Sequence, residues 1–223
     1  MTWKHFFTSS VGKKYVMGLT GFFLIIFLIV HASVNSLIFA NDKGATFNAA
    51  AHFLSHNILM RLLEVGLFVG IIAHAIQGLV LWSQNRKARP VKYKVNNAAS
   101  NSHWYSRSMG LLGTLLLIFL VIHLGHFWVG TKNSLYLQHD APHDLFAEME
   151  EVFQSPIVLV IYLLGLVSLF FHLLHGFKSA FQSFGINHKR YAPIIKGIGI
   201  FYTIVICVLF ACMPLSIYLK WLD

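Results

Sequence analysis

Five apolar segments govern what this chain can become. They run from Tyr15 to Phe39, Asn57 to Trp82, Met109 to Gly130, Pro156 to Phe181 and Ile198 to Leu219. Each exceeds the roughly 20 residues needed to cross the hydrocarbon core of a bilayer. A segment that crosses lipid must satisfy its own backbone hydrogen bonds, so each is expected to be an α-helix. Trp82, Trp104, Trp128, Tyr202, Tyr218 and Trp221 fall near segment ends, where interfacial aromatic anchors collect. The expected fold is therefore all-α and polytopic. Residues 1–223 form one transmembrane unit with short loops and no room for a second folded domain.

Composition agrees. Hydrophobic residues make up 57% of the 223 and charged residues 11%, against roughly 25% charged in soluble domains. That balance excludes a water-soluble globule, a disordered chain and a secreted disulfide scaffold. Lys13 and Lys14 precede an apolar stretch, as in a signal peptide. The stretch is too long for that and contains His31 and Asn35, so it reads as a retained first span. The net charge of +9 reads as basic cytoplasmic loops and not as a nucleic-acid surface. With the N-terminus inside and the C-terminus outside, all Lys and Arg except Lys43, Arg61, Lys132 and Lys220 fall on the inner side. The inner stretch 83–108 is long and basic. The outer stretch 131–155 carries Asp140, Asp144, Glu148, Glu150 and Glu151, and reads as a loop with a short amphipathic helix.

The second unusual feature is histidine. There are 13 His but only 8 Asp plus Glu. His5, His52, His56, His103, His139, His143 and His188 lie in loops or at helix edges and read as solvated. His31, His74, His123, His126, His172 and His175 lie inside the first four spans, where ionisable residues are costly and mark function. Their depth is informative. At 1.5 Å per residue, His31 and His123 lie a little over ~20 Å from the inner ends of their helices, and His74 and His172 about 13 Å. Two histidines thus share an outer level and two an inner level, each pair drawn from helices that a four-helix bundle can bring face to face.

Two facing imidazoles are the axial ligands of a six-coordinate haem, whose porphyrin supplies the other four nitrogens. Two levels imply two haems. Gly78 and Gly176 follow His74 and His172 by one turn and present no side chain to obstruct a porphyrin. Gly66, Gly70, Gly110 and Gly113 permit close helix approach. His126 and His175 stand three residues beyond His123 and His172, on nearly the same face. Either could be the ligand in its neighbour's place. Otherwise they are expected nearer the aqueous edges, bonding haem propionates or a quinone. A haem-free proton or metal-ion relay is the competing reading. It needs carboxylates at mid-depth, and Glu64 is the one acidic residue within a span, with Arg61 a turn away to neutralise it. Cys207 and Cys212 lie in an apolar run and no Cys-x-x-Cys-His occurs, which excludes covalently attached c-type haem. No Gly-rich phosphate cradle, dinucleotide fingerprint or iron–sulfur cysteine set is present, so no flavin, nicotinamide or dicarboxylate site is expected on this chain.

These residues carry a resemblance. His31-Ala-Ser-Val-Asn35, His74-Ala-Ile-Gln-Gly78, His123 followed by Phe127-Trp128, and His172-Leu-Leu-His-Gly176 running on to Phe184-Gly185 are similar in order, spacing and placement to a known family. It is the di-haem cytochrome b membrane anchors of succinate dehydrogenase and fumarate reductase, in their single-subunit, five-helix form. The resemblance covers nearly the whole chain. It implies that His74 and His172 ligate a haem b near the cytoplasmic side and His31 and His123 a second near the outer side. It places the ligand at His172 and not His175. It implies flavoprotein and iron–sulfur subunits on the cytoplasmic face of a bacterial inner membrane, and electron transfer through both haems between the iron–sulfur clusters and menaquinone. Glu64, Arg61 and Asn35 are the polar candidates for the quinone region. Phe170 stands where some fumarate-reducing members carry a buried Glu, so the resemblance does not extend to a proton path there. Other bis-histidine cytochromes, such as hydrogenase, formate dehydrogenase or ascorbate-linked subunits, share the ligand logic.

Overall fold

In the computed structural model, residues 9–88, 100, 102–137 and 144–222 are described. Lys4, His5, Arg89, Lys92, Lys94, His139, Asp140 and His143 lie outside them. The described residues form helices α1 (Ser10–Asn35), α2 (Ala45–His56), α3 (Ile58–Lys87), α4 (Trp104–Arg107), α5 (Met109–His123), α6 (Val129–Leu137), α7 (Leu145–Phe153), α8 (Pro156–Ser183) and α9 (Ala192–Tyr218), with no strand among them. A 3₁₀ turn, Ser36–Ala40, extends α1, and a π-helical turn, Leu124–Trp128, joins α5 to α6 into one continuous rod. Five helical stretches are long and apolar enough to cross a membrane: Ser10–Ala40, Ile58–Lys87, Met109–Tyr136, Pro156–Ser183 and Ala192–Tyr218. They outrun the expected spans, because a helix can continue past the lipid wherever its residues permit. α3 runs on to Lys87 instead of stopping at Trp82, and the third stretch continues beyond Gly130. The connection between the third and fourth spans holds α7, the amphipathic helix expected there, and the connection between the first and second holds α2, which apolar periodicity did not reveal.

The helix starts follow local chemistry. Ser9 accepts a hydrogen bond from the Gly12 amide at 3.0 Å at the start of α1. Asn57 accepts from the amides of Leu59 (2.9 Å) and Met60 (3.4 Å) at the start of α3. Both satisfy amides that have no carbonyl a turn earlier. Prolines occupy the first turns of α8 and α9, where the missing amide hydrogen costs nothing. Before α2, the Asp42 carboxylate accepts from the Thr46 amide at 2.9 Å and from the Thr46 hydroxyl. These bonds hold its carboxyl below the usual range.

Packing defines the arrangement. α1 contacts α3, α3 contacts α5, α5 contacts α8 and α8 contacts α1, closing a four-helix ring. α9 packs outside it, against α8 and α1. The buried apolar core lies on that α9 side. Ile25, Leu173, Phe177, Ile195, Ile206 and Cys207 cluster where α1, α8 and α9 meet. A second cluster joins Ile38, Phe47, Phe146, Met149, Phe153, Tyr162, Met213 and Ile217, so that α2 and α7 roof one end. α3 has no fully buried residue. Its outward positions, such as Leu62 (65% exposed) and Val69 (62%), form part of an apolar girdle continued by Leu164 and Phe201. A soluble monomer does not expose that much contiguous apolar surface; a bilayer covers it.

Candidate functional site

The four expected histidines meet in pairs across the ring. His31 on α1 faces His123 on α5, with ring centroids 5.8 Å apart and planes at 89°. His74 on α3 faces His172 on α8 at 6.1 Å and 63°. Ring neighbours are α1–α3, α3–α5, α5–α8 and α8–α1, so each pair joins diagonally opposed helices and points through the bundle centre. The separation of the pairs can be measured along three helices. Thr20, which touches His74, precedes His31 on α1 by about 16 Å. Gly113, beside His172, precedes His123 on α5 by about 15 Å. Tyr162, beside His123, precedes His172 on α8 by about 15 Å. The agreement defines two parallel layers.

The chemistry of the donors identifies what such layers can hold. Two imidazoles binding one metal at about 2 Å per nitrogen have ring centres about 6 Å apart. Ordinary edge-on ring contacts have similar spacing, so the distance alone does not decide. Two other observations bear on it. The Nδ1 atoms of His123 and His172 are buried with no hydrogen-bond partner among the described residues, so these rings are not held in place by hydrogen bonds of their own, and burying such an atom unpaired is costly. Glycines, which carry no side chain, lie directly against the inner rings. A Cβ on Gly21 would sit 3.4 Å from His74 Cε1, and one on Gly113 would sit 3.8 Å from His172 Cε1. No group of three His, Cys, Asp or Glu side chains among the described residues converges on a point that could hold a bare metal ion. Two donors per layer suit a metal whose remaining ligands arrive with it, as in a porphyrin.

The remaining candidates are distributed around the layers. Asn35 Nδ2 donates to the His31 carbonyl at 2.8 Å and lies 3.3 Å from His31 Nδ1. His126 is half-buried, and its Nδ1 lies 2.9 Å from the hydroxyl of buried Tyr162. The ring opposite His74 is that of His172; His175 is half-buried one turn away and does not face it. Glu64 corrects the sequence reading. Its carboxylate is paired with Lys132, not Arg61, at 2.7 Å, and accepts from Trp128 Nε1 at 2.5 Å. The Arg61 guanidinium lies over the Tyr136 ring at 5.6 Å. Glu64, Val65, Phe68, Trp128, Lys132 and Tyr136 line an open pocket of about 370 Å³. Glu64 precedes His74 by about 15 Å along α3, which sets the pocket level with His31 and His123.

Sequence reasoning missed Thr20, Gly21, Tyr162, Lys132 and the π turn. A hydroxyl five residues past the expected start of a span, or a Lys beyond its expected end, carries no periodic signal. The π turn begins directly after His123, and single π turns recur at functional sites.

Fold and site together define a multi-pass helical membrane protein with two stacked histidine pairs inside its bundle. No protein-family model matches the chain, and no solved structure matches it. Among curated proteins, the chain is similar to the succinate dehydrogenase cytochrome b558 subunit of Bacillus subtilis (strain 168). The two are 27% identical over 185 residues, which cover 82% of this chain and 82% of that protein. The similarity agrees with the resemblance to succinate dehydrogenase cytochrome b anchors read from the histidine motifs.

Proposed function

We propose that this chain is the membrane anchor and electron-transfer subunit of a succinate:quinone oxidoreductase. The observation that carries the reading is the pair of imidazole layers contributed by diagonal helices. The name of the similar protein, a succinate dehydrogenase cytochrome subunit, supports it. In this reading His74 and His172 hold one haem b, and His31 and His123 hold a second. A haem between two imidazoles supplies reversible one-electron transfer.

The chain's own contribution is placement and insulation. Four helices fix the imidazoles in two layers, and the apolar girdle keeps water from the space between them. The chain acts as one transmembrane unit in a bacterial inner membrane, N-terminus inside and C-terminus outside. The His74–His172 layer then lies toward the cytoplasm. The basic end of α3, with Arg86 and Lys87, meets a flavoprotein and an iron–sulfur subunit on that face. Succinate chemistry belongs to those subunits.

The pocket at Glu64 serves menaquinone. Its size suits a ring-sized ligand, and Phe68 and Trp128 give it apolar walls. Quinone reduction consumes protons as well as electrons, and Glu64 and Lys132, paired at 2.7 Å, are the ionisable groups beside it. Arg61, Asn35, His126 and His175 are the polar groups available to propionates or quinone around the two layers.

Purification of the intact complex tests the proposal. Flavin and iron–sulfur subunits should copurify, and succinate should reduce a b-type chromophore. A preparation with no b-type absorption overturns the haem reading. One with haem but no such partners overturns the dehydrogenase assignment.

A further inference from the structure

Thr20 on α1 makes three contacts through one hydroxyl. Oγ1 lies 2.8 Å from the Val16 carbonyl, 3.3 Å from the Met17 carbonyl and 3.1 Å from His74 Nδ1. A hydroxyl has one proton to donate and lone pairs to accept with. The carbonyl oxygens can only accept, and the shorter contact takes the hydroxyl proton to Val16. The contact with His74 is then a hydrogen bond only if Nδ1 carries the hydrogen and donates it to Oγ1. That tautomer leaves the lone pair on Nε2.

The other three rings have no such acceptor. Nδ1 of His123 and of His172 has no partner among the described residues. The group near His31 Nδ1 is the Asn35 amide nitrogen, committed as a donor to the His31 carbonyl. An amide nitrogen cannot accept a proton from Nδ1.

We propose that Thr20 is a positioning residue for His74: its hydroxyl fixes the Nδ1–H tautomer, aims Nε2 into the bundle, and makes His74 the most electron-donating of the four imidazoles. The proposal rests on the haem reading given above. A metal-bound histidine whose second nitrogen donates to an acceptor is a more basic ligand, and a more basic ligand favours oxidised iron. The haem of the His74–His172 layer is thereby held at a lower potential than its ligands alone would give.

The test uses the purified complex. Potentials of both haems are measured by optical redox titration in the wild type, Thr20→Val and Thr20→Ser. Thr20→Val keeps the side chain's shape and removes the acceptor. For the haem that His74→Ala removes, it should raise the reduced-to-oxidised ratio at a fixed potential severalfold to about tenfold, a tenfold change being about 59 mV for one electron. The other haem should not move, and Thr20→Ser should restore the wild-type value. Unchanged potentials in a haem-loaded Thr20→Val overturn the proposal, as does a Thr20→Ser that behaves like Thr20→Val. Should Thr20→Val fail to assemble, nitrogen-15 NMR of histidine-labelled, haem-free wild type decides. His74 must carry its hydrogen on Nδ1, and the Nε2–H tautomer overturns the proposal. A wild type that never binds haem refutes the haem reading instead, so the two failures are distinct.

Discussion

Replacing Gly165 with alanine should disturb one imidazole layer and spare the other. Gly165 is buried on α8. A Cβ there would stand 2.5 Å from Phe119 Cδ2, 2.7 Å from Cγ and 3.0 Å from Cε2. Carbon atoms pack at about 3.5–4.0 Å, so the Phe119 ring must move by about 1 Å. These atoms lie at the base and side of the ring, so the whole ring must shift. Phe119 stacks on His123 at 5.7 Å and meets the Tyr162 ring at 5.2 Å, so its shift passes directly to the His31–His123 layer. Overpacking of this kind costs about 1–3 kcal/mol, and the better helix propensity of alanine offsets about 1 kcal/mol of it. Gly197→Ala is the control, because a Cβ at Gly197 meets nothing within 4 Å and receives the propensity gain alone. Thermal unfolding in detergent should rank Gly165→Ala below both Gly197→Ala and the wild type. The spectrum of the His31–His123 haem should change while that of the His74–His172 haem, about 15 Å away, does not. Equal stability of the two variants with both spectra unchanged would refute the packing argument.

Three further outcomes follow from named contacts. Glu64→Gln removes the charge paired with Lys132 in a partly buried setting; it should slow quinone reduction at least tenfold while leaving haem content unchanged, measured by steady-state turnover and absorbance. Tyr162→Phe removes the hydroxyl bonded to His126 and should cost about 1 kcal/mol, read from thermal unfolding, with both haems retained. The Asp42 carboxyl is held below its usual value by Thr46, so its bonds to Thr46 stabilise the turn before α2 fully above the unfolded Asp value of about 3.9. That stabilisation is lost as pH falls through the lower folded value, so the protection of the Thr46 amide against exchange, relative to an unstructured peptide at the same pH, should fall there and stay constant between pH 5 and 7.

The five membrane-crossing helices were legible because lipid allows an apolar stretch of that length almost no alternative. The histidine layers were legible because helical rise is constant: residue number converts directly to depth, and the depths of His31, His74, His123 and His172 correspond to the two layers. Local sequence misled at Glu64. Arg61 is the obvious partner at a three-residue spacing, yet Lys132 from another helix reaches the carboxylate, and Arg61 turns to Tyr136. Such a choice depends on how α3 and α6 lie together, which spacing does not encode. Thr20 was hidden for the same reason. Its hydroxyl reads as a small residue in a span until α1 and α3 are packed and His74 is beside it. The π turn after His123 leaves no mark in apolar periodicity, since one wider turn inside a uniformly apolar rod changes no pattern.

The central claim is that each imidazole layer holds one haem, and haem-to-protein stoichiometry tests it most directly. The account predicts two haems per chain in the wild type, one in the double variant His31→Ala/His123→Ala, and one, of different potential, in His74→Ala/His172→Ala. A wild type without haem, or either double variant that keeps both haems, would contradict it.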